Sequence, residues 1–215
     1  MVLVSHIYKF IYLKNYKVAG SSVESFFGQF CINKKNKKNY SFQDKQDERI
    51  TQWGILGSRG TGKVTIWNNH KSAKSIKNDL GDELFHSYFK FCVVRNPYDL
   101  MVSSYFFEKT KNKFDYDFKS YCKTFKTPPN PNVERMFIDD VEVCQYYIRY
   151  ENLKNDIIFV LDKLGITDYD MNDLPNHKSN YNPRDRCYKS YYDNETKEIV
   201  ELLFKLEIEM FGYEF

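Results

Sequence analysis

Hydrophobic and polar positions along the chain follow two periods, and the change from one to the other marks the predicted elements. Runs rich in β-branched and aromatic residues predict strands at residues 6–14, 88–95 and 144–150. Apolar residues at helical spacing predict helices at residues 20–30, 71–80 and 155–164 and from Asp193 onward. Pro97 opens a further helix in its first turn, where proline is tolerated. A glycine-rich turn between residues 51–56 and 63–67 predicts a hairpin.

Strands and helices alternate without an internal repeat, which predicts the fold class. This order favours an α/β fold on a mostly parallel central sheet flanked by helices, formed as a single domain over residues 1–215. Ligands of such sheets bind beyond the carboxyl ends of the strands. The turns after Lys14 and Arg95 are therefore the expected site.

Composition narrows the classes of function. The chain has 215 residues, 42% of them hydrophobic, and a formal net charge of +3, a weaker basic excess than a dedicated nucleic-acid binder shows. Five scattered cysteines without a C-x-x-C pair predict neither a disulfide scaffold nor a zinc site. No apolar run approaches the ~18 residues of a membrane span, and the start lacks a secretory pattern. We expect a soluble, intracellular protein without a membrane span or a nucleic-acid partner.

The segment GSRGTGKV, residues 57–64, nearly spells the Walker A loop of nucleotide triphosphatases. Val64 stands where that loop needs the hydroxyl that holds Mg²⁺. The following residues are β-branched and aromatic, whereas a P-loop leads into a helix. The segment is interpreted as a hairpin turn.

A stronger anion site is predicted in KVAGSS, residues 17–22, between the first strand and the first helix. A helix start presents several backbone N–H groups to one point. Gly20 permits close approach, Ser21 and Ser22 add hydroxyl donors, and Lys17 adds a mobile charge. The alternative is that Ser21 only caps the helix and Lys17 is a solvated surface residue.

A second anion site is predicted in RNPYDLMVS, residues 95–103. Arg95 ends a buried strand, and Ser103 lies about two turns into the next helix. The planar guanidinium offers paired donors to a phosphate. The alternative is that Arg95 pairs with Asp99 and that Ser103 faces solvent. Two such sites suggest a nucleotide with groups at its 5′ and 3′ positions.

The order and spacing of these motifs resemble the sulfotransferases that use 3′-phosphoadenosine 5′-phosphosulfate (PAPS), above all the carbohydrate and heparan-type branch and its short microbial or viral relatives. The segments that carry the resemblance are FIYLKNYKVAGSSVE, WNNHKSAKSIKNDLG, YFKFCVVRNPYDLMVSSYFF, IRYENL and YYDNETKEIVELLFKLEIEMFGY. The resemblance implies a P-loop-like fold of three layers.

The resemblance also implies roles for single residues. Lys17, Ala19, Gly20, Ser21 and Ser22 would bind the 5′-phosphosulfate, with Lys17 also acting in catalysis. The 3′-phosphate would be bound by Arg95 and Ser103.

His70 would be the catalytic base, and Glu24 is the alternative base. Tyr16 and Val18 depart from the proline and threonine usual in this loop, which puts the affinity for PAPS in doubt.

The leading hypothesis is therefore a sulfotransferase that moves a sulfuryl group from PAPS to a hydroxyl-bearing acceptor, a glycan by expectation, without a metal. The alternatives are a small P-loop kinase that uses ATP and Mg²⁺, and a non-catalytic nucleotide-binding module. Residues 33–49 and 114–132 are candidate acceptor loops, and the basic loop 176–189 is a candidate cover.

Overall fold

The computed structural model describes residues 1–125, 132–175 and 187–215, without the side chains of residues 38 and 39. The basic loop 176–189 predicted as a cover lies almost wholly outside the described residues. The strands are β1 (Leu3–Ser5), β2 (Phe10–Leu13), β3 (Arg49–Thr51), β4 (Gly54–Leu56), β5 (Phe89–Val94), β6 (Phe137–Ile138), β7 (Val141–Glu142) and β8 (Tyr146–Arg149).

The helices predicted from the sequence begin within two residues of the predicted positions, and the structure has further helices that the sequence did not predict. The helices are α1 (Gly20–Gly28), α2 (Ala73–Leu80), α3 (Asp82–Ser87), α4 (Pro97–Asn112), α5 (Phe118–Thr124), α6 (Val133–Met136), α7 (Leu153–Lys163), α8 (Asn194–Leu203) and α9 (Lys205–Phe211). In the described part of the chain, none of these helices is both long and apolar enough to cross a membrane.

The chain divides into two compact units, the first formed by residues 1–94 and 132–177 and the second by residues 95–131 and 178–215. The first unit contains a six-stranded sheet in the order β3-β4-β1-β2-β5-β8. Strands β2, β5 and β8 run parallel, with Leu13 paired to Cys92. The carboxyl ends of these three strands therefore meet at one edge of the sheet.

The α/β class is confirmed, but the expectation of a mostly parallel sheet is wrong. Strand β1 pairs antiparallel with both β2 and β4, and β3 pairs antiparallel with β4. The sheet is therefore mixed. The missed strand β1 is only three residues long and pairs with Phe10, Ile11 and Tyr12 of the predicted first strand.

The predicted hairpin is also displaced. Its two strands are β3 and β4, joined at Gln52 and Trp53. Lys63–Trp67, predicted as its second strand, follows Gly60 and Gly62 in the left-handed region (φ +61° and +69°) and adopts no regular structure. The next helix begins only at Ala73, so the segment is not a Walker A loop leading into a helix.

Aromatic side chains fix α1 against the sheet. Phe27 of α1 lies 4.9 Å from Phe91 of β5 and 5.7 Å from Phe10 of β2, centroid to centroid, and all three are fully buried. Burial of one such ring stabilises the fold by about 1.5–3 kcal/mol. The start of α1 is thereby fixed at the carboxyl end of β2.

The second unit is a helical cluster around tyrosines. Tyr98 of α4 packs against Tyr192 and Phe215, with ring centroids 5.7 and 5.0 Å away. The Tyr192 hydroxyl donates to the carbonyl of Tyr98 at 2.8 Å. Asp193 caps α8 by accepting from the backbone of Thr196, as the predicted start of the last helix required.

Candidate functional site

The turn between β2 and α1 has an unusual backbone. Lys17 and Ala19 both adopt left-handed conformations, with φ of 58° and 60°. Such conformations cost a non-glycine residue about 1–2 kcal/mol each. Ala19 is the N-cap residue of α1, and its methyl side chain cannot accept a hydrogen bond. The first N–H groups of α1 therefore lack the side-chain acceptor that usually satisfies them.

A buried charge cluster lies directly below this turn. Glu24 of α1 is fully buried, and its Oε2 accepts from Lys14 Nζ at 2.5 Å and from Arg59 Nη1 at 3.2 Å. Its Oε1 accepts from the Met1 ammonium. Burial raises the pKa of Glu24, but the Met1 and Lys14 ammonium groups outweigh it, so the pKa lies below its usual value.

Glu24, the alternative base of the sequence analysis, is thus ionised and enclosed by cations. A buried carboxylate with its oxygens occupied is poorly placed to reach a substrate hydroxyl. Of the two candidate bases of the sequence analysis, Glu24 is therefore the more deeply enclosed.

Gly20 permits the close packing between this cluster and the start of the helix. A Cβ on Gly20 would lie 3.1 Å from Lys14 Cε and 3.2 Å from the Tyr12 hydroxyl. The Tyr12 side chain is fully buried, and its hydroxyl finds no hydrogen-bond partner among the residues described. A polar group in that position costs free energy unless a partner binds there.

His70 lies beside the same turn, in its own left-handed conformation (φ 57°). Its Nδ1 lies 3.1 Å from the carbonyl oxygen of Lys14. A carbonyl only accepts, so Nδ1 carries the proton and the lone pair is on Nε2, the arrangement of a histidine base. Burial lowers the pKa of His70 to about 2, with further contributions from the positive charges of Lys14, Met1 and Arg135.

Tyr16 and Arg135 fix the position of His70. The Tyr16 ring stacks on the imidazole at 3.9 Å between centroids, with 13° between their planes. The guanidinium of Arg135 lies 4.5 Å from the centre of the Tyr16 ring and donates to the carbonyl of His70. Tyr16, noted above as a departure from the sulfotransferase pattern, therefore packs directly on the imidazole of His70.

The turn between β5 and α4 differs in its contacts. Arg95, which follows β5 directly, places Nε 2.8 Å and Nη2 2.7 Å from the same oxygen of Asp99. Asn96 caps α4 by accepting from the N–H of Tyr98 at 3.0 Å. Ser103 is half-buried in α4. The pairing of Arg95 with Asp99 is the alternative that the sequence analysis left open.

The predicted site residues therefore fall into two groups. The first unit holds Lys17, Ala19, Gly20, Ser21 and Ser22 in one turn and helix start, with His70 joined to that turn through Lys14 and Tyr16. The second unit holds Arg95 and Ser103. In the described ranges, no three His, Cys, Asp or Glu side chains group as metal ligands would.

Sequence reasoning missed several residues of the site, including Lys14, Tyr16, Arg59 and Arg135. Lys14 was placed only as the end of a strand, and Arg59 lies in the segment set aside as a turn. Arg59 contacts Glu24, 35 residues away, and Arg135 contacts His70, 65 residues away. Periodicity carries no signal for contacts at such separations.

Comparison with known proteins gives a relative but no activity. No known protein family matches the chain, and no solved structure matches it. A protein of Archaeoglobus fulgidus is 33% identical over 98 residues, which cover 42% of this chain and 79% of that protein. That protein is named only "Uncharacterized protein". By this extent of similarity, the chain belongs to the same family as the Archaeoglobus protein.

Proposed function

We propose that the protein is a PAPS-dependent sulfotransferase with a P-loop-like fold, which transfers a sulfuryl group to a hydroxyl of an acceptor, a saccharide by expectation. The observation that carries the proposal is the uncapped start of α1 above Lys14 and Arg59. An uncapped helix N-terminus with buried cations beneath it favours an anion. The left-handed residues Lys17 and Ala19 support this, since backbone strain collects at functional sites.

The residues of the turn suit a sulfuryl donor. Lys17 and the N–H groups of Gly20 and Ser21 would stabilise the charge that grows on the departing phosphate oxygen, an effect of a few kcal/mol per donor. PAPS supplies an activated sulfuryl group when bound. The acceptor oxygen forms a bond to sulfur as the bond from sulfur to the phosphate oxygen breaks. His70 Nε2 takes the proton of the acceptor hydroxyl.

Binding of the anionic donor PAPS would change the basicity of His70, because charges near the imidazole affect its pKa. In the structure burial above all, together with the positive charges of Lys14 and Arg135, holds the pKa of His70 low, so the imidazole is neutral. An anion bound at the start of α1 opposes those charges. Binding of the donor would therefore raise the pKa of His70 and make its imidazole a stronger base.

Arg95 and Ser103 are proposed to bind the 3′-phosphate. Asp99 contacts both Nε and Nη2 of Arg95 and so orients the guanidinium. A fixed planar guanidinium recognises phosphate with two parallel hydrogen bonds. The 3′-phosphate distinguishes PAPS from ATP, so Arg95 and Ser103 would set the choice of nucleotide.

Thermal unfolding with nucleotides tests the proposal. The product, 3′-phosphoadenosine 5′-phosphate (PAP), present at 100 times its dissociation constant, should stabilise the fold by about 2.7 kcal/mol. ATP with Mg²⁺ should stabilise it much less. Stabilisation by ATP with Mg²⁺ and not by PAP would overturn the proposal in favour of a kinase.

Turnover separates an enzyme from a binding module. Incubation with labelled PAPS and panels of glycans, steroids, phenols and tyrosyl peptides should label one class of acceptor, and we expect glycans. Binding of PAP without label transfer to any panel would identify a non-catalytic nucleotide-binding module.

A further inference from the structure

Arg59 is a buried residue of the glycine-rich segment, and the proposed function leaves its contact with Ser21 unused. Only 7% of its surface is exposed, although its neighbour Gly60 turns the chain at the surface with φ +61°. The backbone N–H groups of Gln46 and Arg59 each donate to the carbonyl oxygen of the other residue at 2.8 Å, which fixes the main chain at this point. The side chain therefore leaves a fixed position and points inward.

The guanidinium of Arg59 joins two residues of α1. Its Nη1 donates to Glu24 Oε2 at 3.2 Å, and its Nη2 donates to Ser21 Oγ at 3.2 Å. Its Cζ lies 4.1 Å from the centre of the Phe42 ring. Nη2 also lies 3.7 Å from an oxygen of Asp44, but that carboxylate is 92% exposed, so its charge is largely screened by water.

The contact with Ser21 determines what that hydroxyl can do. A serine hydroxyl has one proton to donate and lone pairs to accept with. Arg59 occupies a lone pair, so the proton of Ser21 is left to donate to another group. A cation on the accepting side also polarises the O–H bond and makes it a stronger donor.

We propose that Arg59 is a positioning residue for the anion site, which acts through Ser21 by turning its hydroxyl proton towards the bound 5′ anion. The inference rests on the proposed function, because it assigns Arg59 to the site at which PAPS would bind. Glu24 holds the other end of the guanidinium, so the fork cannot rotate away from Ser21. Lysine carries its three donors on one nitrogen, so it cannot span both acceptors in this way.

A double-mutant cycle with PAP as the probe tests the inference. We would measure the dissociation constant of PAP by calorimetry for the wild type, Arg59→Met, Ser21→Ala and the double variant. Arg59→Met should weaken PAP binding about tenfold, the scale of one hydrogen bond to a charged group. In the Ser21→Ala background the same change should weaken binding less than about twofold, because the residue through which Arg59 acts is gone.

Two further variants separate positioning from charge and from folding. Arg59→Lys keeps the charge beside Glu24 and should fold, yet it should still bind PAP several-fold more weakly than the wild type. Lys63→Met removes an exposed cation of the same segment, which pairs with exposed Asp47, and should bind PAP as the wild type does. Urea unfolding of each variant shows that binding is measured on folded protein.

The outcomes are distinguishable from failure of the proposed function. If the wild type does not bind PAP, both the function and the inference are wrong. If the wild type binds PAP and Arg59→Met or Arg59→Lys binds it equally well, only the inference is wrong. An equal loss from Arg59→Met with and without Ser21 would also overturn it, because Arg59 would then not act through Ser21.

Discussion

Two turns from a strand into a helix carry the same signal in the sequence and differ in structure. After β2, α1 is preceded by Ala19, whose side chain cannot cap it, above a carboxylate that contacts Lys14 and Arg59. After β5, α4 is preceded by Asn96, whose side chain caps it. Arg95 at this second turn is paired with Asp99.

The difference shows what prepares a helix start for an anion. At the second turn, the side-chain oxygen of Asn96 and the carboxylate of Asp99 already accept hydrogen bonds from donors that an anion would use. At the first turn, the cap is missing and the cations lie beneath the helix. The first turn is therefore the stronger anion site, and the second depends on what the guanidinium can still offer beside Asp99.

Replacement of His70 should have the largest effect and tests whether the first turn is the catalytic one. His70→Ala removes the base that accepts the hydroxyl proton, so label transfer from PAPS should fall roughly 10²- to 10⁴-fold. Binding of PAP, measured by calorimetry, should change little.

Arg95→Ala is the matched change at the second turn. It should weaken PAP binding itself, because it removes a donor to the 3′-phosphate. A fully active His70→Ala variant would remove the base assignment, and unchanged PAP binding by Arg95→Ala would remove the second turn from the site.

Neutralising Glu24 at the first turn and Asp99 at the second compares how much each carboxylate charge stabilises the fold. Glu24→Gln leaves Lys14 and Arg59 buried without their counter-charge, and should lower the free energy of unfolding by about 3–5 kcal/mol. Asp99→Asn should lower it by less, because the Asp99 carboxylate is 18% exposed and is partly solvated by water. Urea unfolding at neutral pH measures both, and equal losses would contradict the contrast between the turns.

The pH dependence of stability tests the environment of His70. The pKa of His70 in the folded protein, about 2, lies below the ordinary value of 6.5, so the unfolded chain binds more protons between these limits. Stability from this group is complete above pH 6.5 and is lost as the pH falls, by up to about 1.4 kcal/mol per pH unit.

His70→Asn removes the titrating group and should flatten this part of the profile. The free energy of unfolding, measured in urea between pH 7 and pH 5, should fall less steeply for the variant than for the wild type. Parallel profiles would show that burial and the nearby cations do not lower the pKa of His70 as described.

The smallest effect is expected at the cap of α4. Asn96→Ala removes the acceptor for the N–H of Tyr98 and should lower the free energy of unfolding by about 1 kcal/mol. Asn112→Ala, in the last turn of the same helix, removes only an exposed contact with Glu108 and should cost a few tenths of a kcal/mol. Similar losses in the free energy of unfolding for the two variants would show that Asn96 does not stabilise the start of α4.

Local features of both turns could be predicted from the sequence. Helix α1 begins at Gly20 and α4 at Pro97, as glycine, serine and proline in their first turns indicated. The strands β2 and β5 lie within their predicted ranges, because a run of apolar residues can be recognised from the local sequence alone.

Features that depend on distant contacts could not be predicted. The antiparallel pairing of β1 with β4 joins segments about 50 residues apart, and it turned an expected parallel sheet into a mixed one. The contacts of Arg59 with Ser21 and of Arg135 with His70 have no periodic signature. Tyr16 was interpreted as a departure from a pattern, whereas its ring fixes the imidazole of His70.

Backbone amide chemical shifts during a titration with PAP test the central claim most directly, since they report which helix start receives the anion. We expect saturable shifts that are largest at the amides of Gly20, Ser21 and Ser22. Saturable binding of PAP that leaves these three amides unchanged would contradict the account.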